Sequence, residues 1–442
     1  MSLSLNPSLY VHPLDAATDQ AMVICEVQQK DNAARRYALP SELLDLLRLF
    51  DGRRETAEVV AAYNGLHGQK YSRERVEQLI GAYLLPRGLL VDAAADPAAL
   101  PEQSSKRVPY LYARVRLLRP RVIYPVARAL GWPFSRPALF ASSLVFIALH
   151  LVFYIWVFPR HPVNLAEVTT AQFFAVGVAT IIAALIHETG HASALVSYGC
   201  KQAEIGLGLY IYFPVLYTDV SEAWKLNRRQ RAMVDIAGVY FQSVCFPVLL
   251  CLFWLTGSPA ALYTFILIDV AIVRTLNPFL RMDGYWLMAD LFGIFNLRQQ
   301  SVKLLKFYLL KLIPGRRKAV APPLKLSRGA RAALSLYTVL CTAFFLYFFV
   351  LIFYQLAYFL IPNYPQRLLD LWQVSRESPF SLSKFLSLLL ETAWRSVILL
   401  GISLFTYRTA RGAWGFLKEV ARSVVGRPLR NYRLHEGVAE RY

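Results

Sequence analysis

The chain has 442 residues, of which 56% are hydrophobic and only 17% charged, whereas a soluble chain of this length carries about 25% charged residues. That balance excludes an arrangement of soluble domains alone and points to several membrane spans joined to an extramembrane part. The net charge of +19 falls outside the first 98 residues, which hold ten Lys/Arg against thirteen Asp/Glu, a net −3 that leaves +22 on the remainder; basic residues beside apolar spans indicate membrane topology, and no nucleic-acid partner is expected.

In chain order, no secretory signal is expected, because Asp15 and Asp19 interrupt the start before any apolar run. Within residues 20–92, "AMVICEVQ" and "RRYALP" read as strands. "SELLDLLRLF" has apolar residues at helical spacing, starts at Ser41 and stops at Asp51-Gly52; a second helix follows Thr56, with Glu58 in its first turn, and a third runs from Ser72 to about Leu85. "PRGLLV" closes with a turn and a strand. These elements predict an α+β winged-helix-like domain over 1–98, and "AAADPAALPEQS" (93–104) reads as a linker. Residues 99–137 form a basic juxtamembrane segment with Lys106, Arg107, Arg114, Arg116, Arg119, Arg121, Arg128 and Arg136, and no acid lies between Ser105 and Arg136.

Apolar runs long enough to span a bilayer lie near 138–158, 172–198, 232–256, 259–281, 331–361 and 384–406. Basic residues follow the second run (Lys201, Lys225, Arg228, Arg229, Arg231) and the fourth (Arg298, Lys303, Lys306, Lys311, Arg316, Arg317, Lys318). The connections 159–171 and 362–381 are nearly neutral. The expectation is a polytopic α-helical membrane protein of about six spans over 138–410, a basic tail over 411–442, and both termini in the cytoplasm. The five cysteines contain no CxxC pair, and no disulfide framework is expected.

The second run contains "IIAALIHETGHASALVSYG", a His-Glu-x-x-His motif in a stretch apolar enough to cross a bilayer. Ionisable residues at such depth mark a functional site by default. His187 and His191 are four apart and share one helix face; two imidazoles at that spacing can hold Zn2+, with Glu188 beside the metal as general base. Catalytic zinc takes three protein ligands and keeps an open position, so a third ligand has to come from elsewhere. The fourth run has the same direction, and "RTLNPFLRMDGYW" lies at its cytoplasmic end, which puts Asp283 at a compatible depth. Pro278 breaks the helix there, and Gly284 is expected to free the backbone so that the carboxylate can turn inward. Asp269, higher in its span, competes for the role or packs as a polar residue near Arg274, and Asp235 is ambiguous in the same way. His150 reads as a hydrogen-bonder of the helix bundle, and Glu391 and Arg395, at i,i+4, as an ion pair.

"EIGLGLYIYF" alternates with period two and predicts a strand directly after the motif helix. An open edge there could take up an extended substrate; the plainer reading is an interfacial hairpin.

"HETGH" on a membrane helix followed by "NPFLRMDGYW" resembles the site-2 protease family of intramembrane zinc metalloproteases. "FPVLYTDVSEAWKLNRRQRAMVDIAG" and "DGYWLMADLFGIFNLR" resemble its bacterial peptide zinc metalloprotease branch, so the resemblance covers roughly residues 170–300. It implies an endopeptidase of a bacterial inner (plasma) membrane. His187, His191 and Asp283 would be zinc ligands, Glu188 the catalytic acid/base, and Asn277 a group that orients the substrate or the oxyanion. The substrate would be a membrane-associated or ribosomally made precursor peptide, with a peptide exporter as a further partner. Residues 20–92 resemble the PqqD-like leader-recognition domains in length, order of elements and position; the plainer alternative is a winged helix that packs on the rest of the chain. Two other functions remain open: a catalytically silent protein that captures a peptide for an exporter, and a metal transporter. An intact motif argues against the first, and ionisable residues gathered at one depth argue against the second.

Overall fold

The computed structural model describes the chain apart from residues 1–2, 15–21, 29–33, 69–71, 93–110, 163, 165–167, 202, 211–212, 295–296, 313–327, 357, 359–360, 378–379 and 425–442. The expected linker 93–104, the basic residues Lys106, Arg107, Arg316, Arg317 and Lys318, and most of the expected tail lie outside the described residues.

The N-terminal region carries two small sheets. Strand β1 (Leu3–Leu5) pairs antiparallel with β5 (Leu90–Asp92), while β2 (Leu9–Leu14), β3 (Met22–Gln28) and β4 (Ala34–Pro40) form an antiparallel meander. Helices α1 (Ser41–Arg48), α2 (Thr56–His67) and α3 (Arg73–Leu79) come between β4 and β5. Glu55 and Glu58 form a capping box at the start of α2, and Gly68 stops it in the left-handed conformation, at φ 60°. Cys25, Leu47, Val59, Leu84 and Leu89 are fully buried in the core between sheet and helices. Strands β1 and β2 were not anticipated, since "LSL" is too short for a period and Pro13 interrupts "LYVHPL". With β2 on one side and β4 on the other, "AMVICEVQ" is the central strand and has no free edge.

Beyond β6 (Leu111–Leu118) and a short helix α4 (Pro120–Ala129), the chain is dominated by long apolar helices. Among the described residues, five are long and apolar enough to cross a membrane. They are α5 (Arg136–Arg160), α6 (Thr170–Ser197), the run Arg228–Thr256, α12 (Arg328–Gln355) and Leu382–Gly412. The third is built of α7 (Arg228–Gln242) and α8 (Cys245–Thr256); the last is part of α14 (Leu382–Val424). The helix expected as the fourth span, α9 (Pro259–Thr275), has 17 residues and a length of about 25 Å at 1.5 Å per residue, short of a hydrocarbon core of about 30 Å. It ends early because Asn277-Pro278 cannot continue it. Three further helices, α10 (Asp283–Phe292), α11 (Leu297–Leu312) and α13 (Ile361–Ser375), occupy stretches between the apolar runs.

The expected strand after the motif helix is a hairpin, β7 (Glu204–Tyr210) and β8 (Phe213–Asp219), to which β6 adds on the other side of β7. Strand β7 is therefore paired on both edges, and the reading of "EIGLGLY" as an open edge does not hold; the outer strands are β6 and β8. Ile211 and Tyr212 lie outside the described residues. All five cysteines are free thiols. Glu391 and Arg395 form the expected pair at 2.7 Å, and Arg367 on α13 approaches Glu391 at 3.5 Å.

Candidate metal centre

Helix α6 is two helices in environment. Thr169 and Gln172 close a capping box at its start, after which Phe173, Phe174, Val178, Ile181 and Ile182 are exposed, as residues facing lipid are. From Ala183 to Val196 the helix is buried or half-buried, and His187, Gly190 and His191 are among its buried residues. The buried half packs on α7, and Gly190 makes that packing possible: a Cβ at residue 190 would overlap the carbonyl oxygen of Ala237.

His187, His191 and Asp283 meet between α6, α7 and the first turn of α10. The Oδ2 of Asp283 lies 2.9 Å from His187 Nε2 and 3.1 Å from His191 Nε2, and the two Nε2 atoms are 3.1 Å apart. The outer nitrogens fix the tautomers. His191 Nδ1 is 2.7 Å from the Val234 carbonyl, which can only accept, so Nδ1 carries the proton. His187 Nδ1 is 3.1 Å from Gln242 Oε1 and donates to it in the same way. With Nδ1 committed outward, each imidazole can turn an Nε2 lone pair to a point that a carboxylate oxygen also faces. Three converging acceptors repel one another unless a cation lies among them, and two imidazoles with one carboxylate are a donor set that suits Zn2+. Gly238 on α7 leaves the room: a Cβ there would stand 2.5 Å from both Nε2 atoms. Among the described residues, this is the one group of three or more His, Cys, Asp or Glu side chains gathered closely enough to hold a metal ion.

Asp283 is brought to the histidines by the irregular stretch after α9. Asn277 Oδ1 accepts the Phe279 N–H at 2.9 Å, which holds the turn around Pro278. Gly284 acts differently from the expectation. It is helical and absent from the left-handed glycines, and its role is close approach, since a Cβ would overlap the Leu276 backbone. Seven residues on, Asp290 meets Arg231 of α7 at 2.7 Å, and Arg231 also donates to the Leu226 carbonyl at 2.8 Å. Arg231 is fully buried, so this pair ties α10 to α7 and sets where Asp283 stands.

Glu188, next to His187 on the motif helix, is held by the hairpin. The buried hydroxyl of Thr218 on β8 is 2.7 Å from Glu188 Oε2 and 2.9 Å from the Glu188 carbonyl oxygen. One hydroxyl hydrogen has two acceptors of the same residue within reach, so Thr218 is held to Glu188 whichever of them it serves. Asp269 is elsewhere: its carboxylate takes a hydrogen bond from Tyr154 at 2.5 Å and contacts His150 Nε2 at 3.0 Å. Asp269 is therefore a packing residue, with partners on α5 instead of Arg274, and His150 is the bundle hydrogen-bonder that its setting implied. Among the described residues no hydrogen bond joins Asn277 to the three-residue cluster. The supporting residues Thr218, Gly238, Gln242 and Asp290 were not singled out from sequence, and Arg231 was read only as a basic residue after the second run, because each matters through a partner far along the chain.

Comparison with known proteins gives one relative. Over 103 residues the chain is 29% identical to the "Putative peptide zinc metalloprotease protein YydH" of Bacillus subtilis, a stretch that is 23% of this chain and 41% of that relative. The similarity thus spans less than half the length of the relative, and it is consistent with a metalloprotease. No protein-family model matches the chain, and no solved structure does.

Proposed function

We propose that the chain is an intramembrane zinc metalloendopeptidase of the site-2 protease type that cleaves a precursor peptide during its maturation. The observation that carries this reading is the convergence of His187 Nε2, His191 Nε2 and Asp283 Oδ2 within 3.1 Å of one another, on a helix whose Glu188 follows His187 directly. The name of the Bacillus relative, with its zinc and its peptide, supports it.

His187, His191 and Asp283 would hold the metal, which when bound supplies Lewis-acid polarisation and lowers the pKa of water to about 7. Glu188 takes the proton from the attacking water and returns it to the leaving amine. Thr218 keeps the Glu188 carboxylate on one side of its helix, which fixes the geometry of both transfers. Gln242 and the Val234 carbonyl hold the two imidazoles in the tautomer that binds metal. Asn277, whose Oδ1 is engaged by the backbone, has its amide NH2 to offer to the carbonyl oxygen of the substrate. The N-terminal region binds the leader of the precursor. With β3 interior to its sheet, the outer edges of β2 and β4 are the strands on which an extended leader could add. The membrane is the bacterial inner membrane, which the 17-residue α9 crosses as a sixth, shorter span; both termini then lie in the cytoplasm, and a peptide exporter acts on the product.

Incubating the purified, lipid-reconstituted chain with short peptides encoded beside its gene, and reading the products by mass spectrometry, tests the reading. A defined cleavage that vanishes in Glu188→Gln is expected. Binding without cleavage by the zinc-loaded wild type would favour a silent capture protein.

A further inference from the structure

We propose that α4 is a seat for anionic lipid headgroups, lying along the bilayer surface with Val122 and Val126 in the acyl boundary and Arg121 and Arg128 against lipid phosphates. The helix has three faces. Ile123 and Ala127 are buried against the lower half of α6. One residue step back on the wheel, about 100°, Val122 and Val126 are 56% and 46% exposed. A further step of about 100° brings Arg121, and Arg128 shares its side of the helix; both are exposed. An apolar stripe flanked by arginines at this angle suits a helix lying in the interface plane, with its guanidinium groups reaching up to the headgroup layer.

Charge and continuity name the occupant. Among the described residues no ion pair engages Arg119, Arg121 or Arg128, whereas Arg116 is taken by Glu204 at 3.1 Å. No acid lies between Ser105 and Arg136 to neutralise them from within the segment. Seven residues after α4 ends, the chain enters span α5 at Arg136, so α4 is tethered beside the bilayer. The connecting turn exposes Trp132 to 72%, and Trp prefers the depth of the headgroups. Topology alone asks for positive charge near a span; it does not ask for that charge to stand at a fixed angle from an exposed apolar stripe. The inference is independent of the proposed protease activity.

Hydrogen–deuterium exchange of the full chain in nanodiscs tests it, with discs of phosphatidylcholine alone or with added phosphatidylglycerol. At about 1 kcal/mol per arginine near an anionic surface, amides of residues 122–130 should exchange about tenfold or more slowly with phosphatidylglycerol present. Arg121→Gln/Arg128→Gln should abolish that difference, and Val122→Asp/Val126→Asp should raise exchange in both discs. Equal exchange in the two discs, or a difference that survives in the arginine variant, would overturn the proposal; equal and strong protection would mean that protein covers this face.

Discussion

A Cβ on Gly238 would stand 2.5 Å from the Nε2 atoms of both His187 and His191, so Gly238→Ala should remove bound zinc while leaving the apolar core around it intact. Metal analysis of the purified variant checks this. Gln242→Leu acts more gently: it leaves the ligands in place but frees the His187 tautomer, and zinc affinity should fall about 10–100-fold, read by competition with a chelator. Asp283→Ala should lose zinc and Asp269→Ala retain it, because the Asp269 carboxylate is committed to His150 and Tyr154. The ligand residue types were legible in the chain, since two histidines four apart on a helix share a face whatever surrounds them. Their supports were not. Gly238, Gln242 and Thr218 are ordinary residues until folding sets them against residues 30 to 55 positions away, and no local period announces such a meeting. Thr218→Val should slow turnover with little change in KM, and Thr218→Ser should restore it.

At the scale of elements, the buried Arg231–Asp290 pair decides how α10 sits on α7. Arg231→Met would leave the Asp290 carboxylate buried without its cation, at a cost of about 3–5 kcal/mol; thermal unfolding of the variant should show it, together with weaker zinc binding through the displaced Asp283. In the N-terminal region the central strand β3 carries Cys25, whose thiol burial pushes up from 9.0 to about 12. The folded state therefore holds its proton where the unfolded state releases it. Stability is fully present below pH 9 and falls as the pH rises from about 9 towards about 12; Cys25→Ala should flatten that loss in thermal melts. The apolar helices were legible in outline because length and hydropathy are local. The early end of α9 follows from Pro278, also visible, yet its consequence for span length required knowing where the helix begins. The three-stranded sheet was harder still: "EIGLGLY" showed a strand, but that β6, some ninety residues earlier, covers its other edge is a property of the fold.

On the proposed function, the helical body would hold the metal and the N-terminal region would recognise the substrate. Deleting residues 1–92 should then raise KM for the precursor and leave kcat nearly unchanged; a fall in kcat alone would make the region a structural brace. The most direct test of the central claim is the zinc content of the purified chain, compared between the wild type, Glu188→Gln and Asp283→Ala. About one zinc ion per chain is expected in the wild type and in Glu188→Gln, with a large loss in Asp283→Ala. Zinc that is absent from the wild type, or that disappears with Glu188 and persists without Asp283, would contradict the account.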